Sequence, residues 1–294
     1  MKLKIAVARY SIGEPLAFSD FADRVAGRVA GAAASGAQLL VLPEYLAFES
    51  AASLPADARG DLHRSLAGLQ PRHGDYLALA AELARRHSVY LLAGTFLLDV
   101  GGGRYRNRAY FMAPDGRHGF QDKLTLTGYE RDAAVIEPGD ELKVFEADFG
   151  RVGIDICYDI EFPLYARAQV EAGARLLLAP SCTDTEAGAT RVRVGCQARA
   201  LENQVFVACA VTAGEAHWSP VLDFNSGRAA VYTPIDHGFP ASGIAVQADG
   251  GDWAIEELDL ELLDAFKQEA QVANVTDWPE QLRPGVTRAR VESL

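Results

Sequence analysis

The stretch Val152-Gly-Ile-Asp-Ile-Cys157-Tyr-Asp-Ile-Glu-Phe162, followed at once by Pro163, decides how this chain of 294 residues is read. Val152, Ile154 and Ile156 alternate with Gly153, Asp155 and Cys157, a strand period that puts the thiol on the face opposite the isoleucines. Pro163 suits the first turn of a helix, whose expected body is Leu164 to Ala172 with Gly173 as its stop. A cysteine between a strand and a helix is well placed to be a nucleophile. The same cysteine would also suit a small core position, so the rest of the chain has to decide.

Upstream, Lys4 to Ala8 reads as a strand, and the next helix should bury Phe21, Val25, Val29 and Ala32 between a cap near Ser19 and a stop near Gly36. Leu39 to Leu42 is an apolar strand that ends at Pro43-Glu44-Tyr45, so a carboxylate emerges where the ladder must stop. Ser50 to Gly74 is polar, Ala-rich and irregular, and is expected near the mouth of a cleft. Asp75 to His87 has helical spacing, Val89 to Leu98 reads as a strand joined through Gly101-Gly102-Gly103 to Tyr105 to Met112, and the turn signal Asp115-Gly116 leads into the run Gly119 to Leu126, which contains Lys123. Glu130 follows seven residues later.

Downstream, Arg175 to Ala179 is a strand ending at Pro180-Ser181-Cys182-Thr183, and Ala187 to Asn203 is a helix expected to turn Val194, Ala198 and Leu201 inward with Val205. Val205 to Val211, Gly243 to Gln247 and Trp253 to Leu258 have strand character, Asp259 to Gln268 is a last helix, and a polar tail follows. Strands apolar on both faces, alternating with helices, call for an α/β layered fold with a covered sheet. Ligands in such folds sit beyond the carboxyl ends of strands, where Glu44 and Cys157 both fall.

With 28 basic against 40 acidic residues the formal charge is -12, which argues against nucleic acid or anionic membrane as a partner and leaves a small molecule. No apolar run approaches the roughly 18 residues of a membrane span, and the start turns polar too soon for a signal peptide, so a cytoplasmic protein is expected. Cys157, Cys182, Cys196 and Cys209 form no C-x-x-C pair and the histidines no H-E-x-x-H, so no metal site or disulfide framework is expected. A free thiol with pKa ~8.5 needs a base or a cation nearby to become a nucleophile, and Glu44 and Lys123 are the residues that offer both. Taken singly, Glu44, Lys123 and Glu130 read as ordinary surface charges.

Together, Leu-Pro-Glu44-Tyr, Asp-Lys123-Leu, Gly-Ile-Asp-Ile-Cys157-Tyr-Asp-Ile-Glu-Phe-Pro and Arg199-Ala-Leu-Glu-Asn resemble, in order and spacing, the nitrilase superfamily of carbon-nitrogen hydrolases. The resemblance runs over nearly the whole chain. It implies a four-layer αββα sandwich over residues 1–270, with a tail over 271–294 at the interface of a homodimer. It also implies Cys157 as nucleophile, Glu44 as general base, Lys123 as transition-state stabiliser and Glu130 as the carboxylate that orients this lysine, with the Tyr158 N–H completing an oxyanion hole and no cofactor. Cys-Tyr-Asp in place of Cys-Trp-Glu favours the amidase and carbamoylase branch, with a small amide or N-carbamoyl compound cleaved through a thioester. Tyr45, Tyr129, Tyr158, Ser181 and Thr183 are expected around the substrate, and Arg191 or Arg193 is placed either to receive a carboxylate or to be solvated; Arg199 and Glu202 are expected to pair structurally. The Thr183 to Asn203 text is similar to a hydrolase domain that some bacteria fuse to an acetyltransferase, here expected to stand alone. Two other outcomes fit the same residues: an acyltransferase that passes the Cys157 thioester to an amine, and a catalytically silent binding module.

Overall fold

The computed structural model describes residues 1–248 and 250–293. Its strands are β1 (Lys2–Ser11), β2 (Leu39–Val41), β3 (Tyr90–Gly101), β4 (Arg104–Met112), β5 (His118–Asp122), β6 (Val144–Ala147), β7 (Gly150–Ile154), β8 (Ala174–Ser181), β9 (Phe206–Glu215), β10 (Phe224–Asn225), β11 (Ala230–Tyr232), β12 (Ile244–Gln247) and β13 (Trp253–Asp259). The α-helices are α1 (Phe18–Ala34), α2 (Ala56–Arg59), α3 (Leu62–Leu69), α4 (His73–His87), α5 (Gly128–Asp132), α6 (Pro163–Glu171), α7 (Glu186–Asn203), α8 (Leu260–Glu269) and α9 (Asn274–Asp277).

The strands make two sheets that share β1. One runs β5-β4-β3-β2-β1-β13; the other runs β6-β7-β8-β9-β11-β12. β1 pairs in parallel with β2 over Ile5 to Val7, then with β9 over Arg9 to Ser11, so its far end stitches the second sheet to the first. Alternation along β1 explains the layering. Leu3, Ile5 and Val7 enter the core between the sheets with Val152, Ile154, Leu176 and Leu178, whereas Ala6, Ala8 and Tyr10 face Phe21, Val25 and Val29 of α1. With α1 and α4 on one outer face and α6 and α7 on the other, the order is the expected αββα.

The inward face of α1 is the expected one, although its cap is Ala17, with the Asp20 carboxylate accepting from the Leu16 and Ala17 N–H groups. Three expectations need correction. The 50–74 segment lines no part of the cavity described below; it carries Leu66 and Leu69 onto the outer face of the first sheet, where burying them outweighs its polar composition. The strand before Cys157 stops at Ile154, and residues 157–161 form a single 3-10 turn.

The third correction concerns α7. Its buried face is Gly188, Val192, Gly195, Cys196, Arg199, Ala200 and Asn203, while Val194 is 54% and Leu201 38% exposed. Small residues face inward because the helix backbone lies against the Cys157 turn: a Cβ on Gly195 would sit 3.1 Å from the Ile160 carbonyl oxygen. Close approach, not bulk, chooses the face here.

Candidate active site

Four loops deliver the site, each from the end of a strand. Glu44 follows β2 in a tight turn in which Tyr45 has a left-handed φ of 58°, held by the Tyr45 N–H donating to Thr95 Oγ1 at 2.7 Å. That turn rests on β3 at Gly94, where any Cβ would lie 2.4 Å from the Pro43 carbonyl oxygen and φ is 77°. Only glycine fits.

Lys123 leaves the end of β5, its N–H donating to the Asn107 carbonyl at 2.9 Å. Its ammonium group, 2% exposed, donates to Glu44 Oε1 at 2.8 Å and to Glu130 Oε1 at 2.9 Å. Glu130 arrives through local chemistry: Thr127 is the N-cap of α5, and Thr127-Gly-Tyr-Glu130 closes a capping box in which Glu130 Oε2 accepts from the Thr127 N–H at 2.9 Å. Glu130 Oε1 also accepts from the Tyr45 hydroxyl at 2.6 Å.

Cys157 occupies a left-handed conformation, φ 51°, at the start of its turn. Such backbone is costly for a non-glycine residue and persists where the surroundings fix it. Here Asp159 does so: its carboxylate accepts from the N–H groups of Leu124 (3.0 Å) and Thr125 (2.7 Å), tying the cysteine turn to the residues after Lys123. The last contributor is β8. The Cys182 N–H donates to Glu44 Oε2 at 2.9 Å, and its carbonyl accepts from the Cys157 thiol at 3.5 Å.

The electrostatics follow from two buried carboxylates sharing one buried ammonium. Burial would lower Lys123, but Glu44 and Glu130 hold it well above the usual lysine value, so it stays charged. Glu130, despite burial, is lowered by Lys123 and by its hydrogen bonds from Tyr45 and Thr127. Glu44 goes the other way: burial raises it more than Lys123 lowers it, with the charge on Glu130 adding to the rise. Burial and then Glu44 push the Cys157 thiol well above the usual cysteine value. Glu44 is therefore the carboxylate with proton affinity to spare, beside a thiol that holds its proton.

Glu44, Lys123 and Cys157 open on one cavity of about 250 Å³ that is also lined by the buried Tyr45 and by Tyr129, Tyr158, Thr183 and Arg191. Ser181 is buried, donates to the Ala179 carbonyl and lines a neighbouring cavity instead. Arg191 Nε lies 3.7 Å from Glu161; Arg193 faces the neighbouring cavity; Arg199 pairs with Glu202 at 2.7 Å. Sequence reading missed Asn107, whose Nδ2 donates to Glu44 Oε1 at 2.8 Å, as well as Asp159 and the Cys182 backbone. The Thr-x-x-Glu signature at 127–130 was legible in principle; the Asn107 and Cys182 contacts cross 63 and 138 residues of chain and leave no local signal. Among the described residues no group of His, Cys, Asp and Glu is placed to hold a metal ion, all four cysteines are free, and no helix is long and apolar enough to cross a membrane.

An αββα sandwich with a thiol, a carboxylate and an ammonium group on one cavity, and a second carboxylate held behind the ammonium group, has the architecture of a carbon-nitrogen hydrolase. The family model described as carbon-nitrogen hydrolase matches residues 4–268, and the chain belongs to that family. The "Probable hydrolase YhcX" of Bacillus subtilis is 30% identical over 277 residues, 94% of this chain and 53% of that protein. The chain thus spans about half the length of that relative. "Omega-amidase NIT2-A" of Xenopus laevis is 28% identical over 218 residues, 71% of this chain and 74% of that one. In three dimensions the chain is similar to Saccharomyces cerevisiae Nit3, a nitrilase superfamily member, with a TM-score of 0.72 at 22% identity, covering 92% of this chain and 95% of that one.

Proposed function

We propose that the chain hydrolyses a small amide or N-carbamoyl compound, with Cys157 as nucleophile, Glu44 as general base and Lys123 as stabiliser of the tetrahedral intermediate. The observation that supports this is a protonated thiol and a carboxylate of raised proton affinity opening on one cavity beside a fixed ammonium ion. No standing thiolate is available, so the proton passes to Glu44 as the sulfur attacks the carbonyl carbon. The oxyanion forms against Lys123 Nζ, already held by Glu44 and Glu130, and the Tyr158 N–H. Glu44 then returns its proton to the departing nitrogen, leaving a thioester. A water gives one proton to Glu44 and its oxygen to the thioester carbon; the acid leaves, and the proton on Glu44 restores the thiol. Glu130 acts through Lys123, as a positioning residue. The scheme needs no cofactor.

Around the mouth, Asp184, Asp223 and Glu161 face a single guanidinium, Arg191, which already neighbours Glu161. Tyr129, Tyr158 and Phe224 stand with them. This rim favours an amide with an uncharged or cationic tail over the anionic tail of a dicarboxylic acid monoamide. The exposed Leu164 of α6, with Val194 and Leu201 of α7, supports a homodimer joined through this helical layer. Free thiols support the cytoplasm as its compartment.

The test is ammonia release from a panel of uncharged, cationic and anionic small amides, N-carbamoyl compounds and nitriles, with Cys157→Ala run beside the wild type. Release by wild type alone, strongest for uncharged or cationic amides or carbamoyl compounds, is the expected result. Equal release by the variant, or silence across the panel, would overturn the proposal, and an amide product formed only with an added amine would move it to acyl transfer.

A further inference from the structure

Beyond Thr183 and Val192, which line both, lies a second cavity of about 130 Å³. Two guanidinium groups face it, Arg193 from α7 and Arg228 from the stretch before β11. In a chain with net charge -12, neither has a hydrogen bond or an ion pair with any described residue. The one carboxylate in the lining, Glu186, is engaged by the Ser226 hydroxyl at 2.7 Å. The lining therefore carries two guanidinium groups against one carboxylate, a net positive charge.

Tyr232 makes the second, independent observation. It lines the cavity, is 1% exposed, and its hydroxyl has no hydrogen-bond partner among the described residues. The hydroxyl is thus left to donate to whatever occupies the cavity. Burial holds the phenol protonated, so what it offers an anion is a donor. Ala189, Cys209 and Val211 supply an apolar side to the same space.

We propose that this cavity binds a small aliphatic carboxylate, its oxygens taken by Arg193, Arg228 and the Tyr232 hydroxyl and its carbon chain lying against Ala189, Cys209 and Val211. Planar guanidinium forks suit a carboxylate, and the apolar wall distinguishes such a ligand from inorganic phosphate, which has nothing to place there. The site is separate from the one that holds Cys157. The two meet at Thr183 and Val192; Thr183, with Ser181 of the second cavity, flanks Cys182, the residue whose N–H fixes Glu44 and whose carbonyl holds the Cys157 thiol.

The experiment uses butyrate as probe, followed by ligand-observed NMR and by the shift in melting temperature of the full chain, with butylamine and inorganic phosphate as comparators. Saturable binding of butyrate is expected for wild type, for Cys157→Ala and for protein alkylated at Cys157. Arg193→Gln combined with Arg228→Gln should weaken it at least tenfold, and Tyr232→Phe severalfold, with unchanged melting temperature in the absence of butyrate for the arginine pair. Arg193→Lys, which keeps the charge and loses the fork, should fall between. Absence of saturable binding, equal binding by the double variant, loss of binding on alkylation, or phosphate binding as tightly through the same residues would each overturn the proposal.

Discussion

Replacing Glu44 by Gln separates chemistry from scaffolding at this site. Glu44 Oε1 accepts from Lys123 Nζ and Asn107 Nδ2, both at 2.8 Å, and Oε2 accepts from the Cys182 N–H at 2.9 Å. The glutamine amide has one good orientation: its oxygen keeps the two donors on the first side, and its NH2 meets the Cys182 N–H. One bond is lost and one buried N–H is left unpaired, about 1–3 kcal/mol and a melting point a few degrees lower. The loss of the base is larger. General-base catalysis is worth about 100- to 10,000-fold, or about 3–5 kcal/mol of activation free energy. Steady-state ammonia release should therefore show kcat down by that factor with KM little changed, in a protein that still melts cooperatively. A variant that keeps kcat within tenfold of wild type would refute the assignment of Glu44 as base, and a fall in KM equal to that in kcat would place the loss in the bound state.

Asp159, pushed up to about 7 mainly by burial, makes a pH prediction. Its folded value lies above the unfolded one near 4, so its contribution to stability is complete below about pH 4 and is lost as pH rises through about 7. Melting temperature of wild type should fall across that window more than that of Asp159→Asn; parallel curves would refute it. Glu130→Gln weakens the hold on Lys123 and should lower kcat about tenfold or more, with a smaller effect than Glu44→Gln and no shift in the product spectrum. Gly195→Val drives a side chain into the Ile160 carbonyl and should cost about 1–3 kcal/mol in a denaturant titration, with turnover falling as the Cys157 turn is displaced. Leu164→Glu with Val194→Glu should shift a dimer to monomer in sedimentation, and an unchanged oligomeric state would remove the helical layer as the interface.

Legibility followed locality. α1 declared its inward face because Phe21, Val25, Val29 and Ala32 repeat at helical spacing and nothing competes with burying them. α7 did not, because the turn behind it admits only small side chains, and periodicity of bulky residues then points outward. The Cys157 stretch was recognisable as text, yet its strand period continues two residues past the last ladder pair and gives no sign of the left-handed φ that aims the thiol. Glu44, Lys123 and Glu130 were chosen by resemblance; their mutual distances depend on Asn107, Gly94 and Cys182, which no short window contains.

The shared strand β1 also bears on how activity is acquired. Glu44, Lys123 and Glu130 come from the first half of the chain and the first sheet, Cys157 and Cys182 from the second half and the second sheet, and among the described residues the Arg9 to Ser11 pairing with Val211 to Ala213 joins the ladders. β13 also reaches back to β1 from the far end of the chain, and the thiol and its base meet only when strands some 200 residues apart in sequence close on each other, the slow kind of contact in folding. In a refolding experiment, far-ultraviolet circular dichroism should recover well before turnover, and the return of ammonia release would time the docking of one half of the molecule on the other.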